Sequence, residues 1–151
     1  MNTTDTPEAG GPAAAENEHP ARTASRRSMA AVRAKDKQAW LGIFADDGWV
    51  EDPVGKSGFD PEGAGHHGRE AIGRFWDMAI AKTDSIEFLI DDSVACGDEV
   101  ANIGRIRTTM GGHVIDAEGV FIYRVDGAGD LQSLRAFWEL DRAMKTARPA
   151  E

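Results

Sequence analysis

One cysteine, Cys96, stands in 151 residues, so no disulfide can form within the chain. Tyrosine is equally scarce, with Tyr123 alone. No apolar run is long enough to span a bilayer. The opening MNTTDTPEAGGPAAAENEHP has neither the basic start nor the apolar centre of a secretory signal. Positive charge is in deficit: 17 Lys and Arg against 26 Asp and Glu leave a net charge of −9. That balance argues against nucleic acid and anionic membrane surfaces, which select clustered cations. Of the four histidines, His66 and His67 are neighbours whose side chains point apart, His113 is distant, and His19 lies near the N-terminus. No Cys or His–Glu spacing completes a set of ligands, so no metal is expected. A cytoplasmic protein with no nucleic-acid or membrane partner is the reading these absences leave.

What is present divides into three stretches. Residues 1–20, rich in Ala, Gly, Pro, Thr and Glu, cannot bury enough apolar surface to offset ordering and are expected to be a disordered tail. A folded domain is expected over 21–145, then a short C-terminal tail over 146–151. Within the domain, helical spacing marks a helix from about Thr23 to Lys35 with Met29 and Val32 on one face. A second follows Asp36 as cap, with Trp40, Ile43 and Phe44 as its stripe, ended by ADDG. A third spans REAIGRFWDMAIAKT, with Ile72, Phe75, Trp76 and Ile80 at helical spacing. The period then drops to two in SIEFLIDDSVAC, EVANIGRIRTTM, VIDAEGVFIYRV and LQSLRAFWEL, which read as four strands joined by turns. Helices first and antiparallel strands later define an α+β fold, three N-terminal helices on one face of a curved, mostly antiparallel sheet.

WVEDPVG, Trp49 to Gly55, sets two acids side by side in a short strand stopped by Pro53. Alternation sends Trp49 and Glu51 one way and Val50 and Asp52 the other, so one acid shares a face with a valine. From spacing alone Asp52 reads as a turn residue bonding a backbone N–H before the proline. Asp116 and Glu118 form a second acidic pair, on the face opposite Phe121; a bulge near Gly119 would bring Glu118 inward. GKSGFDPEGAG lacks the glycine spacing of a phosphate loop.

The order of elements, with FADDGWVEDPVG, HGREAIGRFW and YRVDGAGDLQSLRAFW, resembles the ketosteroid isomerase branch of the NTF2-like (SnoaL-like) superfamily, in an actinobacterial-type subgroup, over about Ser25 to Asp141. The resemblance implies a cone of helices and sheet around a deep apolar cavity, often in a homodimer, and cofactor-free chemistry on a small apolar ligand. It reassigns Asp52 as the catalytic base, which would lift a proton beside a ketone and return it elsewhere. It places Ser28 where the family has an oxyanion tyrosine, and Phe44 and Trp76 where it has two supporting tyrosines. Phe121 falls on the second oxyanion donor, an aspartic acid. Trp138 matches an aromatic of the pocket floor, or is a plain core tryptophan. Asn102 falls on a wall position, with Gly104 leaving room beside it, or caps a strand turn. Tyr123 shares a face with Phe121, but lies beside the DGAG turn and is expected at the rim. The long loop after Asp52 is expected as a lid or rim.

The expected function is thus a ketosteroid isomerase-like protein for a steroid-like or polycyclic ketone, with a degraded oxyanion hole and weak or altered turnover. A SnoaL-like polyketide cyclase and a non-catalytic apolar-ligand-binding module are the alternatives. Epoxide hydrolysis would need acids paired around an arginine, and Arg105 and Arg107 have no matching partners in the sequence pattern.

Overall fold

The computed structural model describes residues 18–151; the expected tail lies almost wholly outside them. Helix α1 (Pro20–Arg33) starts at a proline whose missing N–H costs nothing there, and His19 Nδ1 accepts the Ala21 N–H at 3.0 Å. Its buried stripe is small: Ala21, Ala24, Ser25, Ser28, Ala31 and Val32. Met29 lies beside that stripe, outside its buried set. Such residues let the helix lie close on the sheet. Helix α2 (Lys37–Ile43) is capped by Asp36, which accepts the Ala39 N–H at 3.1 Å.

Strand β1 (Phe44–Glu51) follows without a break. Phe44 and the ADDG segment, expected in or just after the helix, are therefore strand. Strand β2 (His66–His67) pairs with β1 and leads into α3 (Gly68–Phe75), which continues as a π-helical turn, Trp76–Ile80. Strands β3 (Ser85–Cys96), β4 (Glu99–Met110), β5 (His113–Val125) and β6 (Leu131–Trp138) form the large sheet. Helix α4 (Leu140–Met144) and strand β7 (Arg148–Pro149) complete the chain. The sheet order is β2-β1-β6-β5-β4-β3, with β1 parallel to β6 and β7 added beside β5. Residues 146–151, expected as a tail, thus carry a paired strand.

The curvature has a local cause. Gly104 pairs with Gly119, which pairs with Trp138 across β4, β5 and β6. A Cβ on Gly104 would lie 2.2 Å from the Leu89 carbonyl oxygen, and one on Gly119 1.9 Å from that of Phe137. The strands approach there closer than any side chain permits, beside a bulge between Ile90 and Asp92. The room at Gly104 is filled by the backbone of β3. The core sits under the helices, where Trp40 meets Phe44 edge-on at 5.0 Å and Trp76 at 5.2 Å.

Candidate functional site

A cavity of about 390 Å³ lies between the inner face of the sheet and the helices. Small-molecule pockets run ~300–1,000 Å³. Its walls are mainly apolar, with Phe59, Phe75, Ile86, Phe88, Ile106 and Phe121 among them. Polar atoms come from Ser28, Asp52, Thr83, Thr108, Tyr123 and Trp138, with Lys82 also in the lining. Among the described residues Asp52 is the one carboxyl in that lining.

Asp52 follows the last residue of β1. Val50 is fully buried, and alternation brings Asp52 to the same side. Its Oδ1 accepts the Trp138 Nε1–H at 2.6 Å. Burial pushes the carboxyl up to about 6, and the indole N–H offsets part of that rise. Glu51 goes the other way and takes an ion pair from Arg135 at 2.6 Å. The two neighbouring acids of EDP therefore have separate environments. The Asp52–Pro53 peptide is cis. Beyond it the loop to Gly65 is organised by Asp60, whose carboxylate accepts the Ala64 and Gly65 N–H groups at 3.2 and 2.8 Å. Phe59 of that loop reaches the cavity.

Ser28 lies in the lining, where its Oγ accepts the Trp40 Nε1–H at 2.9 Å. Tyr123 is not at the rim: it is buried and in the same lining. Burial, then the Asp52 charge, push its phenol well above the usual tyrosine range, and the Ser28 hydroxyl opposes them. Phe121 and Trp138 also face the cavity. Phe44 and Trp76 do not; both pack on Trp40 instead. Asn102 is buried outside the cavity lining, with its Nδ2 donating to Ser25 Oγ of α1 at 3.4 Å. Sequence reasoning missed Leu140, Ala143 and Met144 of α4, which close one side of the mouth. It also left Ile115 and Ala117 unnamed, although their parity with Phe121 could have found them.

The β4–β5 ladder runs without a register shift, so Glu118 stays on the outer face, paired with Arg142 at 3.3 Å. Arg107 binds Asp116 on that face at 2.8 Å, which leaves no arginine among the cavity residues. The adjacent histidines are strand residues more than loop: His66 packs on Phe75 at 4.9 Å, and His67 stacks on Trp49 at 5.5 Å. Burial lowers the His66 pKa. Among the described residues no three His, Cys, Asp or Glu side chains cluster as a metal site, and no helix is long and apolar enough to cross a membrane. A second, more open hollow of about 580 Å³ lies around Asp47, Trp49, Arg124 and Gln132.

A family model described as a SnoaL-like domain matches residues 25–138. No curated protein matches the chain. Among solved structures, Rv0760c from Mycobacterium tuberculosis is similar at 35% identity, covering 89% of this chain and 98% of that one, with a TM-score of 0.80. Rv0760c in complex with estradiol-17beta-hemisuccinate matches at 35% identity, 87% and 99% coverage, and a TM-score of 0.76. Delta 5-3-ketosteroid isomerase from Mycobacterium sp. matches at 32% identity, 88% and 100% coverage, and a TM-score of 0.78.

Proposed function

The chain belongs to the SnoaL-like domain family, with the NTF2-like, ketosteroid isomerase-like fold, and from that premise we propose that it binds a flat, steroid-like ketone and moves a proton on it with Asp52 as general base. One observation carries the reading: a single carboxyl in a mainly apolar cavity, held near 6 and aimed by an indole N–H at 2.6 Å. A base poised just below neutrality is mostly ionised at pH 7 yet still accepts a proton readily. The ionised Asp52 takes a proton from the carbon beside the ketone, and the C–H electron pair moves toward the oxygen as an enolate. The same carboxyl then returns the proton to another carbon of the conjugated system. No electron leaves the substrate, and the step needs no cofactor. The similarity to a ketosteroid isomerase and to a protein solved with a steroid ester supports the ligand class.

Turnover is expected to be weak, because positions 28 and 121 hold a serine and a phenylalanine where the resemblance implies acidic donors. Removing one such donor costs about 10²–10³ in rate. Isomerisation of a 5-ene-3-ketosteroid, followed by the absorbance of the conjugated product, tests the chemistry. Tryptophan fluorescence tests binding, since Trp40 and Trp138 line the cavity. No quenching by any of a panel of steroids at high micromolar concentration would overturn the ligand class.

The reading includes a homodimer. Ile103, Val120 and Phe137 form one row across the outer face, with Ile103 37% and Phe137 40% exposed. Light scattering should give twice the chain mass, and Phe137→Asp should halve it. A cytoplasmic location belongs to the same proposal.

A further inference from the structure

Two polar contacts of the cavity are made within the protein, Trp40 with Ser28 and Trp138 with Asp52. Trp40 Nε1–H donates to Ser28 Oγ at 2.9 Å, so the indole occupies an acceptor site of that hydroxyl. Ser28 and the Tyr123 hydroxyl both lie in the cavity lining. Among the described residues the Tyr123 hydroxyl makes no hydrogen bond. The phenol is buried and in the lining that also holds Asp52. It sits two residues along β5 from Phe121, on the same face, and Val100 and Leu134 flank it in the neighbouring strands. Those neighbours are apolar, so they offer its proton nothing.

We propose that Tyr123 is the hydrogen-bond donor for the ligand's carbonyl oxygen, and that the cavity therefore selects molecules whose single oxygen lies at the end shared with Asp52. This deepens the functional reading above and rests on it. Tyr123 supplies from β5 the phenol that α1 lacks at Ser28. When Asp52 removes the proton beside the ketone, the developing negative charge on the oxygen meets the Tyr123 O–H. The phenol donates a hydrogen bond and keeps its proton, so charge and atoms balance within the ligand and Asp52.

The single tyrosine makes the test specific. With ¹³Cζ-labelled tyrosine, one signal reports Tyr123. In the free protein that signal should move as Asp52 ionises, with a midpoint of about 6, and stay flat in Asp52→Asn. A flat wild-type signal between about pH 4 and 8, or a midpoint that survives Asp52→Asn, overturns the shared placement. The second arm uses 1-tetralone, whose oxygen can only accept, and tetralin, the same bicycle without it. Wild type should prefer the ketone by about three- to tenfold, the worth of one neutral hydrogen bond. Tyr123→Phe should bind the two equally. Unchanged discrimination in Tyr123→Phe overturns the proposal. Should wild type bind neither bicycle at millimolar concentration, the ketone reading of the cavity falls, and the labelled signal alone then decides where the Tyr123 hydroxyl lies.

Discussion

Asp52 and Asp116 are carboxyls set against opposite faces of one sheet, and their surroundings push them in opposite directions. Asp52 faces the cavity with an indole as its partner, and burial raises it to about 6. Asp116 faces outward between Arg107 at 2.8 Å and Arg148 at 3.3 Å, and the Arg107 hydrogen bond holds it below the usual carboxylate range. Burial is the larger influence on Asp52, and the Arg107 hydrogen bond on Asp116. The charge of the partner adds to the difference: a guanidinium rewards ionisation fully, a neutral N–H only in part. One acid is left ready to take up a proton, and the other is consumed in holding the fold.

The largest expected effect comes from removing the reactive member of the pair. Asp52→Asn should lower any isomerisation by about 10²–10⁴-fold, measured as kcat/KM. In wild type kcat/KM should fall about tenfold per pH unit below about 6, because the base must be ionised. The same substitution should stabilise the fold at pH 8. As an acid raised above its ordinary 3.8, Asp52 favours the folded state fully below that value and loses the contribution as pH rises through about 6. The loss is worth roughly 3 kcal/mol, which a neutral amide does not incur.

Asp116→Asn should do the reverse. It removes the carboxylate partner of Arg107 and Arg148, and denaturant unfolding at pH 7 should show a loss of stability. The contribution of Asp116 is present above the ordinary carboxylate value and is lost as pH falls through its lowered one. Stability curves of the two variants should therefore diverge at high pH and converge in acid. Curves that run parallel would show that the two acids are not opposed as the structure has them.

The smallest effect sharpens the partner argument. Trp138→Phe removes the N–H that holds Asp52 down, so the midpoint of the pH–rate profile should move upward by about one unit. A downward move would mean that the indole does not stabilise the carboxylate.

The sequence pattern alone marked β3 and β4 at Ser85–Cys96 and Glu99–Met110, because strict alternation bounded by tight turns leaves little freedom. It also separated Asp52 from Glu51, since parity in a strand is binary. What it missed depends on contacts between distant elements. Tyr123 looked peripheral because its turn is near, but α1 packs over that end of β5 and buries it. Phe44 and Trp76 hold positions of expected cavity residues, yet their rings fill the space around Trp40. Asn102 is satisfied by Ser25, a helix residue far away in the chain. Helix α4 and β7, with five and two residues, are too short to show a period.

The mouth of the cavity has a different character from its walls. Leu140 and Met144 of α4, with Met78 and Met110, are exposed residues of the cavity lining. Five residues cannot hold a helix by themselves. Helix α4 is kept in place from behind, by Thr146 accepting the Asp116 N–H at 2.8 Å and by β7 pairing with β5. Such a segment opens at far smaller free energy than the sheet it covers. Amide exchange should thus be fast across Leu140–Met144 and slow along β5, and the residence time of any molecule inside would follow the rate at which that short clasp detaches, while the walls decide only how tightly it is held.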